Sequence, residues 1–159
     1  MIISSWNINS VRIRTEIIKN YLVKEKIDIL LLQEIKCQTE QFPFKFFNDL
    51  GYECYVSGQK SYNGVAIISK CKLNNIDIKS FIDPNNQSRF ISADIEIKKK
   101  SAKIICIYLP NGNPVGTEKY LYKKKWLKEF FSFIKKIIIK NKNLIIGGDF
   151  NAVSYTHLR

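Results

Sequence analysis

The feature that most constrains the fold is a set of apolar segments that end in polar side chains. Ile27–Glu34 is almost continuously apolar until it reaches Gln33 and Glu34, a pattern typical of a strand that is buried on both faces. Leu144–Asn151, with the sequence LIIGGDFN, has the same character. Because helical patterns alternate with such strands, the sequence predicts an α/β (α+β) fold.

The other periodic segments fill in this alternation. Further strands are predicted at Met1–Asn9, Tyr52–Gln59, Asn63–Ser69, Ile91–Ile97 and Lys103–Leu109. Helices are predicted at Arg14–Lys26, Gln41–Leu50 and Glu118–Lys140. A length of 159 residues suits one domain and is too short for two of ordinary size.

The charge of the chain points to a polyanionic partner. Lys and Arg number 26 against 14 Asp and Glu, which gives a net charge of +12. Nucleic acid or an anionic membrane surface would attract such a protein. A coding bias toward Lys, Ile and Asn would produce the same charge without any partner, and composition alone leaves both explanations open.

Cysteine use and hydropathy indicate the compartment. The four cysteines form no C-x-x-C pair, which favours a reducing environment over a zinc site or a disulfide framework. No apolar run approaches the roughly 20 residues of a membrane helix, and the first residues do not resemble a secretory signal. We therefore expect a cytoplasmic protein without a membrane partner.

Polar side chains lie where the predicted strands end. Asn7, Glu34 and Tyr108 each lie at or near the end of one apolar segment, and Asp149 and Asn151 end another. Side chains at one edge of a sheet are held rigidly, and functional residues often occur there. Carboxylates and amides without a histidine or cysteine cluster suit a hard cation such as Mg²⁺ or Mn²⁺, which commonly serves phosphoryl chemistry.

Each of these residues also has an ordinary structural interpretation. Asn7 could cap a turn, Glu34 could pair with Lys36, and Asp149 could be a turn aspartate. Tyr108 could belong to the core. Taken singly these structural interpretations are preferred, and only the combination favours a site.

Six strings occur in a recognisable order. They are SWNINSVRIR at 5–14, LLQEIKC at 31–37, NGVAIISK at 63–70, YLPNG at 108–112, EKYLYKKKWL at 118–127 and GGDFN at 147–151. Together they resemble the exodeoxyribonuclease III family of apurinic/apyrimidinic endonucleases, within the endonuclease/exonuclease/phosphatase superfamily. The resemblance covers residues 1–151. It implies a four-layer α/β sandwich, of which this chain would hold about the first half.

The resemblance also implies roles for the strand-end residues. Glu34 corresponds to the carboxylate ligand of a catalytic Mg²⁺ (or Mn²⁺), with Asn7 close to it. Tyr108 corresponds to an active-site tyrosine near the scissile phosphate. Asp149 corresponds to the aspartate that handles a proton, and Asn151 to an asparagine that holds the phosphate; both also lie near the metal.

The implied activity is DNA repair, and the implied location within the cytoplasm is nucleoid-associated. The family cleaves duplex DNA 5′ to abasic sites, removes nucleotides in the 3′→5′ direction and acts on 3′ phosphates. Arg12, Asn111 and Lys119 are the candidates for contacts to DNA. Two alternatives remain open at this point: a superfamily phosphoesterase acting on lipid or inositol phosphates, and a basic fragment that binds DNA without cleaving it.

The chain departs from the family pattern at its end. The family continues into a second half with an Asp-His pair, and His157 does not match that motif. Residues 152–159 resemble translated sequencing adaptor, so we interpret them as a non-native tail. We expect 1–151 to hold one sheet with its inner face uncovered, and therefore to aggregate or be only partly ordered and to have little or no activity. The full-length form is expected to be a monomer.

Overall fold

A computed structural model describes residues 1–152 as eight strands and three α-helices. The strands are β1 Ile3–Asn7, β2 Ile29–Gln33, β3 Glu53–Ser57, β4 Val65–Ser69, β5 Asn74–Asp77, β6 Phe90–Ile97, β7 Lys100–Tyr108 and β8 Leu144–Asp149. The helices are α1 Thr15–Lys24, α2 Phe44–Asn48 and α3 Glu118–Lys140, with a single 3₁₀ turn at Thr39–Gln41. Each strand and helix expected from the sequence is present, and β5 is an additional strand.

The strands form two sheets. The first has the order β1-β2-β4-β3 and the second has the order β5-β6-β7-β8. Strands β1 and β2 are parallel, as are β7 and β8, whereas the other neighbours are antiparallel. The carboxyl ends of the two parallel pairs therefore provide places where several strand ends can meet.

Apolar side chains stack the elements in four layers. Helices α1 and α2 pack on the outer face of the first sheet through Ile18, Leu22 and Phe47. Helix α3 covers the outer face of the second sheet through Trp126 and Phe130. The two inner faces pack against each other, which gives the order helix, sheet, sheet, helix.

The expectation of a single sheet with an uncovered inner face is wrong. Leu31 and Ile67 of the first sheet pack against Ile91 and Ile104 of the second, and all four are buried. The chain crosses between the sheets after β4, so both contribute to one core. The expected aggregation therefore no longer follows, since the inner faces of the two sheets cover each other. The sequence pattern of a strand buried on both faces does not tell which sheet covers it.

Two local predictions need correction. The helix expected at Gln41–Leu50 is only the short α2, because Pro43 lacks an N–H and separates it from the preceding 3₁₀ turn. The helix ends at Asn48 with Asp49 as its C-cap, and Gly51, which was expected to close it, lies two residues beyond the cap with a φ of 81°. Strand β5 went unpredicted because its sequence NNID is polar and lies at a sheet edge.

No helix within residues 1–152 combines the length and apolar content that a membrane span needs. The predicted non-native tail lies, from residue 153 onward, outside the described residues, and so does His157.

Candidate active site

The strand ends selected from the sequence meet at one edge of the two sheets. Asn7 ends β1 beside Gln33 of the parallel strand β2, and Glu34 follows directly. In the other sheet, Tyr108 ends β7 beside Asp149, which ends β8. Since β1 and β8 also contact each other across the sandwich, the edge collects polar side chains from both sheets.

A single amide joins the two carboxylates of this edge. Asn7 Nδ2 donates to Glu34 Oε1 at 2.9 Å and to Asp149 Oδ2 at 2.8 Å. The Tyr108 hydroxyl donates to the same Glu34 Oε1 at 2.7 Å. Four residues that are far apart in the sequence, and that come from both sheets, therefore form one hydrogen-bonded cluster.

Glu34 is the centre of this cluster and carries a negative charge. Its second oxygen, Oε2, lies 2.9 Å from Lys36 Nζ, and its side chain is 21% exposed. Partial burial raises the pKa of Glu34, but hydrogen bonds from Asn7, Tyr108 and Lys36 outweigh that effect and lower the pKa below its ordinary value. The carboxylate is thus ionised at neutral pH and remains open to water on one side.

The pKa of Tyr108 is shifted in the opposite direction, upward. Its burial and its hydrogen bond to the Glu34 carboxylate raise its pKa to about 12. The hydroxyl therefore stays protonated at neutral pH and acts as a donor.

Asp149 and Asn151 are held by the loop after β8. The backbone N–H of Asn151 donates to Asp149 Oδ1 at 2.8 Å, and Asn151 Nδ2 donates to the Leu109 carbonyl at 2.6 Å. Lys123 of α3 donates to the Asn151 carbonyl at 2.8 Å. Asn151 is thus joined to the cluster through its backbone, while its side-chain N–H group is directed to the residue that follows β7.

The backbone around the site is left-handed at several residues other than glycine. Asn9, Glu34, Lys36 and Asn151 have φ of 47°, 53°, 52° and 44°. Such conformations cost on the order of 1–3 kcal/mol each, and they concentrate at functional sites. The turn at Glu34 is retained because its carbonyl accepts from Ser10 N at 2.7 Å.

A polar groove of about 570 Å³ adjoins Tyr108. Asn111 and Lys119, both expected to contact DNA, line this groove together with Arg89. Arg12, the third candidate, is exposed in the loop after β1 and does not line the groove. The structure therefore places two of the three candidates in the groove beside Tyr108.

Two residues of the site were not selected from the sequence. From the sequence, Lys36 is named only as a possible ion-pair partner of Glu34, and its position two residues after Glu34 is the signal that could have marked it as part of the site. Arg89 lies with its guanidinium 4.5 Å from the centre of the Tyr108 ring. No local sequence pattern marks Arg89, because its contact depends on the pairing of β6 with β7.

The oxygen ligands of the cluster fit a hard divalent cation. Within residues 1–152 there is no group of three or more His, Cys, Asp or Glu side chains able to hold a metal ion. Two carboxylates joined by one amide are nevertheless sufficient for Mg²⁺, which usually keeps several waters and takes one or two protein carboxylates. The chemistry of Glu34 and Asp149 therefore fits Mg²⁺ better than it fits a softer metal.

Comparisons with known proteins agree with this arrangement. A profile described as the Endonuclease/Exonuclease/phosphatase family matches residues 4–156. Exodeoxyribonuclease III from Haemophilus influenzae is 33% identical over 150 residues, which is 92% of this chain and 56% of that protein.

Solved structures give the same picture. An AP endonuclease from Archaeoglobus fulgidus has a TM-score of 0.84 at 32% identity, covering 96% of this chain and 58% of that one. A 3′ phosphatase from Neisseria, solved with a product DNA hairpin, has a TM-score of 0.83 at 32% identity, covering 94% of this chain and 57% of that one. The chain thus spans little more than half the length of the proteins that it matches.

Proposed function

The chain belongs to the endonuclease/exonuclease/phosphatase family, as its sequence strings indicated, and from that premise we propose that its strand-edge cluster serves, in a full-length protein of this family, to hydrolyse phosphodiesters in duplex DNA. The substrates proposed are abasic sites, cleaved on their 5′ side, and 3′ ends. The observation that carries the proposal is the Asn7 amide that joins Glu34 to Asp149, with Tyr108 bonded to Glu34.

The cluster would hold Mg²⁺ (or Mn²⁺) chiefly through the ionised Glu34. Asn7 lies next to that carboxylate, and Asp149 and Asn151 complete the polar edge. When bound, the cation supplies positive charge that polarises a phosphoryl oxygen and offsets the charge that develops on it.

The side chains of the site would divide the remaining work. Tyr108, kept protonated by its raised pKa, would donate to a phosphoryl oxygen without titrating. Asp149, oriented by Asn7 and by the Asn151 backbone, would orient the attacking water or protonate the leaving oxygen. A carboxylate placed for proton transfer contributes about 10²–10⁴-fold to the rate.

DNA is the proposed partner for reasons of charge and shape. The net charge of +12 favours a phosphate backbone. Asn111 and Lys119 line the groove beside Tyr108 and would contact backbone phosphates, while Arg12 would act further away on the exposed loop. The Neisseria relative solved with a DNA hairpin supports the same substrate class.

A chimera tests the proposal directly. Residues 1–151 replace the matching segment of the Haemophilus influenzae exodeoxyribonuclease III, and the chimera is given a duplex with one abasic-site analogue. We expect cleavage 5′ to the analogue with Mg²⁺ and none with a chelator. The 159-residue chain is assayed in parallel, and we expect it to have little or no activity.

Matched carboxylate variants provide the control. Glu34→Gln in the chimera should lower cleavage by about 10²–10³-fold, the usual cost of removing one preorganised charge-stabilising group. Glu96→Gln changes an exposed glutamate of β6 and should leave the rate unchanged. A chimera that folds but cleaves no DNA, or one that cleaves equally well with Gln at position 34, would contradict the proposal.

A further inference from the structure

Arg89 is buried against Tyr108 and contacts it in three ways. Arg89 as a whole residue is only 8% exposed. The guanidinium lies 4.5 Å from the centre of the Tyr108 ring, and Nη1 donates to the Tyr108 carbonyl at 3.1 Å. In return, Tyr108 N donates to the Arg89 carbonyl at 2.9 Å. A planar cation stacked on an aromatic ring restricts the plane that the ring can adopt.

Arg89 is itself held by polar groups on its other side. Its Nε donates to Gln87 Oε1 at 2.7 Å and lies 3.9 Å from Asp83 Oδ2. The Asp83 side chain is 3% exposed. A buried carboxylate of this kind persists only when its charge is offset and its oxygens accept hydrogen bonds.

Helix α3 supplies the hydrogen bonds that Asp83 needs. The Tyr122 hydroxyl lies 2.7 Å from Asp83 Oδ2, and Trp126 Nε1 donates to the same oxygen at 2.9 Å. Positions four apart lie on one face of a helix, so both side chains reach one carboxylate. Tyr122 and Trp126 of the string EKYLYKKKWL therefore have a structural role, although neither contacts Glu34 or Asp149.

We propose that Arg89 is a positioning residue for Tyr108. It fixes the plane of the ring so that the hydroxyl meets Glu34, and Asp83 with its two donors from α3 anchors Arg89 in that place. Its importance for catalysis rests on the proposed function, in which Tyr108 donates to the phosphate. The contact between Arg89 and Tyr108 does not rest on the proposed function, because it can be measured without DNA.

A double-mutant comparison in the full chain tests the proposal. The ¹³C signal of the Glu34 carboxyl carbon is recorded at neutral pH in the wild type, in Arg89→Lys, in Tyr108→Phe and in the double variant. Arg89→Lys keeps the charge that offsets Asp83 and loses the planar contact. We expect it to shift the Glu34 signal a large part of the way to its position in Tyr108→Phe, and to cause no further shift when position 108 is already Phe.

Lys70→Met is the matched control. Lys70 Nζ lies 5.2 Å from the centre of the Tyr52 ring, so this variant removes a similar contact elsewhere and should leave the Glu34 signal in place. The proposal is overturned if Arg89→Lys leaves the Glu34 signal unchanged, or shifts it equally with and without the Tyr108 hydroxyl. Should Arg89→Lys not fold, Tyr122→Phe, which removes one hydroxyl from the anchor, takes its place under the same two criteria.

Discussion

Two carboxylates of this molecule, Glu34 and Asp83, each accept a hydrogen bond of 2.7 Å from a tyrosine. Glu34 lies at the strand edge, is 21% exposed and has a partly exposed lysine, Lys36, as its charge partner. Asp83 is 3% exposed, and a buried arginine, two aromatic donors and backbone N–H groups surround it. The same pair of residue types thus forms an open site in one place and a closed anchor in the other.

The difference shows which physical property separates a reactive site from a structural contact. Both carboxylates accept hydrogen bonds on their oxygens, so hydrogen bonding by itself does not distinguish them. Access to water does, because Glu34 is 21% exposed and Asp83 only 3%. Of the two, only Glu34 can exchange a donor for water without opening of the core, and it also adopts the left-handed backbone conformation that functional sites often retain.

Replacing each carboxylate by alanine should give the largest difference in the free energy of unfolding between the two regions. Asp83→Ala leaves the buried Arg89 charge without its carboxylate and Trp126 Nε1 without its acceptor, and should lower the free energy of unfolding by about 3–5 kcal/mol. Glu34→Ala should lower it by about 1 kcal/mol or less, since water reaches the groups that remain. Urea denaturation of both variants measures the difference. Equal losses at the two positions would remove the distinction between open site and closed anchor.

Removing each tyrosine hydroxyl sharpens the same comparison. Tyr122→Phe takes a donor from a buried charged acceptor and should cost about 2 kcal/mol of stability. Tyr108→Phe should cost about 0.5 kcal/mol, because a water can replace the hydroxyl at the exposed edge. Thermal and urea unfolding check both values. A larger loss for Tyr108→Phe than for Tyr122→Phe would be incompatible with this account.

The pH dependence of stability should show a smaller effect. The pKa of Glu34 is lowered in the folded chain from its ordinary value of 4.5. Its contribution is therefore fully present above that value and is lost as the pH falls through the folded pKa. The difference in unfolding free energy between wild type and Glu34→Gln should be constant above about pH 5 and should shrink below it. A difference that grows on acidification would mean that the sign of the shift is wrong.

The sequence predicted much of the open site because its residues follow apolar strands. Asn7, Glu34, Tyr108 and Asp149 were selected as strand ends, and parallel pairing brings those ends together. Their catalytic roles remain proposals. Their proximity could be predicted because an apolar strand followed by a polar residue is a local pattern in the sequence.

The closed anchor could not be predicted in this way. Asp83 lies in the polar segment DPNNQ, which looks like an ordinary turn, and its donors lie 39 and 43 positions later. Arg89 contacts Tyr108 only because β6 pairs with β7. The second sheet was missed for the same reason, since a strand buried on both faces does not reveal what covers it.

The most direct test is a Mg²⁺ titration of the full chain, followed through the carboxyl ¹³C signals of Glu34, Asp149 and Asp83. The account predicts that the signals of Glu34 and Asp149 shift and saturate, while that of Asp83 stays in place. It is contradicted if Mg²⁺ shifts neither signal of the strand edge, or if the Asp83 signal shifts as far as that of Glu34.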